Sequence, residues 1–154
     1  MFERTVSFHI QGFLEDIVGF RVIDHKADVK IKISGKTIEE LFSEALNGFL
    51  HIVVKRKRKA ENFERKKISL EGIDLEDLLV RFLNELIYLF SLKKVPLKIE
   101  NMKIEENRFE GEILLAPLTY ELFEVKAELK AATYHNLKIE KKGKNFVTEV
   151  VFDV

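Results

Sequence analysis

Hydrophobic and polar residues alternate along two stretches near the ends of the chain, and a period of two is typical of half-buried β-strands. Residues 20–34 begin with an apolar segment and then alternate, with Val29, Ile31 and Ile33 on one face and Asp28, Lys30 and Lys32 on the polar face. Residues 146–154 alternate as well, with apolar side chains on both faces. A strand that is apolar on both faces is favoured inside a sheet. We therefore expect the last strand to be held in place rather than to fray.

Apolar residues recur at steps of three and four in two other stretches, which indicates amphipathic helices. The first stretch follows Gly35, where Thr37-Ile38-Glu39-Glu40 has the form of a capping box. Asp74 is in a position to cap the second helix, whose apolar residues run from Leu75 to Phe90. The apolar stripe of this second helix is wide, and we expect it to form core rather than a ligand pocket.

Strand patterns bounded by turn residues occupy the rest of the chain. The alternation of residues 123–131 predicts one continuous strand with Lys130 directed away from the core. The other predicted strands are 67–71, 97–104, 109–115, 137–140 and 146–154, with turns at 105–107 and 142–145. Two helices with about seven or eight strands indicate an α+β fold.

The 154 residues are 46% hydrophobic and 34% charged, a composition typical of one soluble globular domain. The longest apolar runs are too short to cross a bilayer, and Glu15 and Asp16 interrupt the stretch near the start that imitates a signal peptide. We therefore expect a cytoplasmic protein that does not bind membranes. Twenty-six basic and 26 acidic residues cancel, and cysteine is absent. Any metal is thus expected to have oxygen or imidazole ligands.

Residues 55–59, which we name the basic run, are all lysine or arginine. Clustered cations of this kind contact nucleic-acid phosphates, but charges between a helix and a strand are also typical of a solvated loop. The basic run contains no aromatic residue on which a base could stack, and the net charge of the chain is zero. We therefore favour the solvated loop, and do not expect direct RNA binding to be strong.

Acidic groups occur together at the end of the chain and in one segment near its start. Asp153 precedes Val154, so a side-chain carboxylate and the α-carboxylate are one residue apart, and Asp24 and Asp28 offer further oxygen ligands. If the strands that carry them are neighbours, the carboxylates converge and need a hard cation or a lysine to balance their charge. The alternative is that terminal acids are simply solvated. His25 is placed for a general-base role, although a histidine at a strand end is more often structural or solvated.

Four segments, in the same order, resemble the archease family of small protein cofactors of the RtcB-type tRNA-splicing RNA ligase. The resemblance covers residues 20–154. Residues 1–19 are then an N-terminal extension of unknown role, either a packed element or a tail. The first segment is similar to the family's Asp-His-Thr-Ala-Asp signature, and the others to its Leu-Asn-Glu-Leu, Lys-Ala-x-Thr-Tyr-His and terminal Phe-Asp-Val motifs. The segments are Asp24-His25-Lys26-Ala27-Asp28-Val29, Leu83-Asn84-Glu85-Leu86-Ile87-Tyr88-Leu89-Phe90, Leu129-Lys130-Ala131-Ala132-Thr133-Tyr134-His135 and Phe152-Asp153-Val154.

The resemblance implies a fold and a metal site. The fold is the archease fold of the α+β class, with two main helices packed on a mainly antiparallel sheet and an inserted strand module. The metal site is formed by Asp28, Asp153 and the carboxylate of Val154. It is expected to bind a divalent metal, calcium in the first place, with magnesium or manganese as alternatives. Lys26 replaces the family's threonine and puts a cation near Asp28, where it either weakens divalent binding or acts as an internal counter-ion.

The resemblance also implies a function. The protein is expected to dock on the RNA ligase and to promote its guanylylation and multiple turnover in tRNA splicing, without being an enzyme itself. Lys130 matches a lysine implicated in ligase activation, and Asp24, His25 and His135 are candidate supporting residues. Two alternatives stay open. One is an RNA-binding module that uses the basic run, and the other is a structural domain in which calcium only fastens the chain end.

Overall fold

The computed structural model describes residues 4–11, 18–24 and 28–154, and it gives only the backbone of residues 4–11 and of Asp24. The described residues form eleven strands and two helices. In chain order these are β1 (Arg4–Gln11), β2 (Val18–Asp24), β3 (Asp28–Gly35), α1 (Ile38–Val53), β4 (Val54–Arg56), β5 (Glu64–Glu71), α2 (Leu75–Ser91), β6 (Lys94–Glu105), β7 (Arg108–Pro117), β8 (Phe123–Val125), β9 (Ala131–Thr133), β10 (Glu140–Lys142) and β11 (Asn145–Asp153).

The largest sheet has the order β1-β2-β3-β11-β10, with β9 also paired to β11. All of its described pairs are antiparallel. The alternation seen in the sequence puts Ile31 and Ile33 of β3, together with Val150 and Phe152 of β11, in the core, where each has no exposed surface. The predicted ordered last strand is thereby confirmed. The half-buried strand predicted over residues 20–34 is confirmed from Asp28 onward, but the stretch is two strands rather than one, because β2 lies antiparallel beside β3 with Phe20 opposite Ile33 and Val22 opposite Ile31.

Both predicted helices are present, and both begin at the predicted cap. The Thr37 hydroxyl accepts a hydrogen bond from the backbone N–H of Glu40 at 3.0 Å. The Asp74 carboxylate does the same for the N–H of Asp77 at 2.7 Å. Such caps satisfy amides that the first helical turn leaves without a partner. The α+β class is thereby confirmed.

Two smaller sheets complete the fold. One has the order β5-β7-β6 and contains the predicted hairpin, while the other consists only of β4 and β8. The aromatic rings of Phe42, Phe82 and Phe109 contact one another, with centroids 5.1 to 6.0 Å apart, and so join α1, α2 and β7. The helices therefore form the layer that connects the sheets.

The prediction of one continuous strand over residues 123–131 is wrong. β8 and β9 occupy its two ends, belong to different sheets and are separated by residues without regular structure. The chain bends away after β8 because the backbone amides of Lys126 and Ala127 both donate to the carbonyl of Val53, at 2.8 and 3.4 Å. Likewise, the strand predicted at 137–140 is found at Glu140–Lys142, and the described part of the chain has more strands than predicted.

The N-terminal extension contributes β1, which pairs with β2. The register runs from Arg4 opposite Asp24 to Gln11 opposite Val18. Residues 1–3 and 12–17 of the extension lie outside the described residues. Neither of the helices in the described part of the chain is long and apolar enough to span a membrane.

Candidate functional site

The pairing of β3 with β11 brings two of the predicted site residues together. Asp153 is the direct cross-strand partner of Asp28, at the end of a register that begins with Phe146 and Gly35. Directly opposed residues of an antiparallel pair point to the same face, with their Cβ atoms about 5 Å apart. Asp28 is half-buried and Asp153 is exposed. Two carboxylates therefore face each other at the end of the sheet, and their mutual repulsion favours a cation between them.

The segment before β9 lies against the other side of the same strand end. The backbone N–H of Lys130 donates to the carbonyl of Asp153 at 2.9 Å, and Ala131 is the cross-strand partner of Asp153. The side chain of Lys130 is exposed, as predicted. Val154 follows Asp153 and is 42% exposed. Lys130, Asp153 and Val154 therefore share one open end of the sheet with Asp28.

The remaining predicted site residues are distributed differently. His25 and Lys26 lie outside the described residues, so the predicted influence of Lys26 stays a prediction. The backbone of Asp24 pairs with Val29 rather than with Asp28. His135 is exposed and follows Thr133, whose cross-strand partner is Val151, so the chain has moved away from Asp153 at this point. His135 contacts the side chain of Asn136 at 3.3 Å.

Asn84 of α2 holds the backbone of β9 in place, a role that the sequence did not reveal. Its side-chain oxygen accepts from the N–H of Ala132 at 2.8 Å, and its amide nitrogen donates to the Ala132 carbonyl at 3.4 Å. The side chain of Asn84 thus satisfies both the backbone N–H and the backbone carbonyl of the buried residue Ala132. The hydroxyl of Thr133 adds a hydrogen bond to the carbonyl of Val151 at 3.0 Å. The position of Lys130 beside the strand end depends on these contacts.

A second fastening joins the residues after β9 to the start of α2. The phenol of Tyr134 donates to the carboxylate of Asp77 at 2.5 Å. Asp77 also accepts from Arg81 at 2.8 Å and from the backbone N–H of Ile73 at 2.9 Å. The Tyr134 hydrogen bond, followed by those of Arg81 and Ile73, lowers the pKa of Asp77 to about 2. Hydrogen bonds to the ionised form favour that form, although Asp77 is buried.

Asp77 makes folding stability depend on pH in the acid range. Its pKa is depressed in the folded protein, so its contribution is complete above the unfolded value near 4 and is lost as the pH falls through about 2. We expect Asp77→Asn to lower the free energy of unfolding by about 2 kcal/mol near neutral pH. The difference from wild type should shrink steadily below pH 4. Denaturant titrations at a series of pH values measure it.

Glu85→Gln is the matched control, because Glu85 is on the same helix and makes no hydrogen bond to a described residue. Its free energy of unfolding should follow that of wild type at every pH. If the difference between Asp77→Asn and wild type were the same at pH 7 and pH 2, the linkage to Asp77 would be refuted.

Asn84 and Tyr134 lie inside the segments that carry the family resemblance, but each finds its partner far along the chain. Asn84 is 48 residues from Ala132, and Tyr134 is 57 residues from Asp77. Nothing in the sequence singles out Asn84, because α2 also contains the polar residues Glu76, Asp77, Arg81 and Glu85. Within the described residues, no group of three or more His, Asp or Glu side chains is close enough to hold a metal. The described groups that meet at this strand end are the carboxylates of Asp28 and Asp153 and the last residue, Val154.

The fold and this strand end define the class of protein: an α+β protein with two helices on a mainly antiparallel sheet and opposed aspartates at the end of its last strand. Residues 20–154 match the model of the archease protein family. The chain therefore belongs to the archease family.

Relatives in this family are similar along most of their length. The protein archease of Methanosarcina mazei is 31% identical over 140 residues, which cover 88% of this chain and 95% of that protein. The protein archease of Pyrococcus furiosus is 39% identical over 124 residues, covering 77% of this chain and 85% of its own. A crystal structure of an archease from Thermotoga maritima, described as a possible chaperone, has a TM-score of 0.62 at 28% identity. That comparison covers 96% of this chain and 100% of the Thermotoga chain.

Proposed function

We propose that this protein is a non-catalytic cofactor that activates an RtcB-type tRNA-splicing RNA ligase in the cytoplasm. It would promote guanylylation of the ligase and its repeated turnover, while the ligase performs the chemistry. Membership of the archease family supports this proposal. The observation that carries it is the register that sets Asp28 opposite Asp153 beside the exposed Lys130. The result is an exposed cluster of charged groups that a partner can reach.

The donor set at this strand end fits a divalent cation. Asp28 and Asp153 would supply two carboxylates, and the carboxylate of Val154 would supply a third. Hard cations such as calcium prefer oxygen ligands of this kind, and magnesium and manganese are alternatives. When bound, the cation would offset the repulsion of the aspartates and fasten the end of β11 to β3. It would also supply open coordination positions for oxygen ligands of the partner.

Among the described residues of this strand end, Lys130 carries a positive charge on an exposed side chain. Its backbone is fastened to Asp153 by the hydrogen bond at 2.9 Å, so its Cα has a defined place while its side chain is free to reach outward. A lysine ammonium is a compact cation that binds carboxylates and phosphates. We assign Lys130 the task of orienting a carboxylate or phosphate of the ligase complex.

A multiple-turnover ligation assay tests the proposal. The RNA ligase of the same organism is mixed with an excess of RNA ends and guanosine triphosphate, with and without this protein. We expect the mixture to complete more turnovers per ligase molecule than the ligase alone. The proposal is wrong if this protein changes neither the amount of guanylylated ligase nor the number of turnovers.

One added residue after Val154 tests whether its carboxylate is part of the site. Addition of a single glycine moves the negative charge by about 3.5 Å without changing the buried residues of β11. We expect calcium affinity, measured by calorimetry, to fall about tenfold, because one charged ligand is withdrawn.

The matched control is amidation of the C-terminus without any added residue, which removes the charge and leaves the chain length unchanged. It should lower the calcium affinity to a similar extent. If both variants bind calcium as wild type does, Val154 is not a ligand. If both variants lose calcium affinity but still stimulate ligase turnover as wild type does, the metal has only a structural role.

A further inference from the structure

The sheet of β4 and β8 brings an aromatic side chain to the basic run, which the sequence alone did not place there. Lys55 and Arg56 of β4 pair with Glu124 and Phe123 of β8, and the backbone N–H of Lys57 continues the ladder to the carbonyl of Leu122. This pairing places the loop before β8, residues 118–122, alongside the basic run. The basic run is therefore next to residues that are about 60 positions further along the chain.

Tyr120 lies at the tip of this loop and is 87% exposed. The ammonium of Lys57 is 3.7 Å from the centroid of its ring and donates to its backbone carbonyl at 2.8 Å. A cation over one ring face fixes the orientation of the ring, and the high exposure leaves the opposite face open. An oriented, open aromatic face beside clustered cations is the arrangement on which an unpaired base can stack.

Four of the five cations of the basic run are available to a ligand, since Lys57 is engaged with Tyr120. Among the described residues, the side chains of Lys55, Arg56, Arg58 and Lys59 make no hydrogen bond or ion pair, and all four are exposed. By contrast, basic residues of β5, β6 and β7 are engaged with neighbouring acids; these are Arg65, Lys94, Lys98, Lys103 and Arg108. The acidic residues next to the basic run in sequence or through the pairing of β4 with β8 are Glu61, Glu121 and Glu124, fewer than its five cations.

We propose that the basic run and Tyr120 form a binding surface for single-stranded RNA. The free cations contact successive phosphates, and Tyr120 stacks on one base, so the surface is expected to bind without sequence preference. An acidic protein would bind the cations, but it has no base to stack on the open ring of Tyr120. The combination of cations with an aromatic face therefore favours RNA. This proposal does not depend on ligase activation, because the surface lies on β4 and β8, whereas Asp28 and Asp153 lie on β3 and β11 of another sheet.

Fluorescence anisotropy with a labelled uridine oligonucleotide and the full-length protein tests the surface. With about three phosphate contacts, the logarithm of the affinity should fall with the logarithm of salt concentration with a slope of about −2. The variant in which Lys55, Arg56, Arg58 and Lys59 are all changed to Gln should bind at least about tenfold more weakly at low salt and lose most of this slope. Tyr120→Leu should weaken binding about tenfold, while Tyr120→Phe should restore it, because only the ring is needed.

A variant in which four other basic residues, all lysines, are changed to Gln is the matched control for loss of charge. These are Lys138, Lys141, Lys142 and Lys144, which are exposed and lie around β10. Binding close to that of wild type is expected. Three results would overturn the proposal. The first is no RNA binding at low salt, and the second is an equal loss of RNA affinity in the two fourfold variants. The third is that a glutamate peptide binds as tightly as RNA and that Tyr120→Leu changes neither affinity. The last would assign the surface to an acidic protein.

Discussion

Asp28→Asn is expected to reduce the stimulation of the RNA ligase to the level of the ligase alone. The change removes one of the two carboxylates that face each other across β3 and β11 and leaves the size of the side chain unchanged. A cation held by three carboxylates would then lose one charged ligand that a neutral amide replaces poorly. The measurement is the number of ligations per ligase molecule under multiple-turnover conditions.

The same variant should change stability in opposite directions with and without calcium. Directly opposed like charges destabilise a strand pair by up to about 1 kcal/mol. Without calcium, Asp28→Asn should therefore unfold at the same or a slightly higher denaturant concentration than wild type. With calcium in excess, wild type gains stability through binding, and the variant gains less. A decrease of stability that is independent of calcium would indicate a damaged fold instead.

Glu149→Gln is the control that separates the site from the general loss of a negative charge. Glu149 lies four positions before Asp153 on β11, and its cross-strand partner is Lys32 rather than an acid. Its carboxylate also approaches Lys30 at 4.0 Å. We expect normal ligase stimulation from this variant. Equal losses for Asp28→Asn and Glu149→Gln would refute the assignment of the site to Asp28.

Local patterns were sufficient to predict the elements whose residues interact with their neighbours in sequence. The cap residues Thr37 and Asp74 were visible because a cap needs only three or four adjacent positions. The break between β8 and β9 was not visible, because it depends on amides that bind the carbonyl of Val53, more than 70 residues earlier. Tertiary contacts outweighed the strand alternation of residues 123–131 at this point.

Asp28 and Asp153 could be proposed as site residues from the sequence, but their arrangement and surroundings could not. Alternation put Asp28 on the polar face of the stretch 20–34 and Asp153 in the last predicted strand, while only the observed register shows that they are direct partners at a strand end. The fastenings made by Asn84 and Asp77 join α2 to β9 and Tyr134, and no spacing rule connects residues so distant. The same holds for Tyr120 and Lys57, whose contact turns an ordinary basic loop into a candidate RNA surface.

The order of the strand end depends on its last buried residue, Phe152. This side chain has no exposed surface, and its residue pairs with Val29 on one side and with Ala132 on the other. Phe152 is thus the anchor between Asp153 and the core. Beyond Phe152, the described contacts of β11 are its pairings with Asp28 and Ala131 and the hydrogen bond from Lys130.

Phe152→Ala should therefore lower the free energy of unfolding by about 3–5 kcal/mol and also weaken the site. Phe82→Ala is the matched control, because Phe82 is 1% exposed and packs against Phe42 and Phe109, away from β11. Both variants should lose similar stability by denaturant titration. At a temperature at which both are still folded, only Phe152→Ala should lose calcium affinity. If the ordered conformation of the strand end is then populated about a tenth of the time, the calcium affinity falls about tenfold. Equal calcium affinity in the two variants would show that β11 holds Asp153 in position without Phe152.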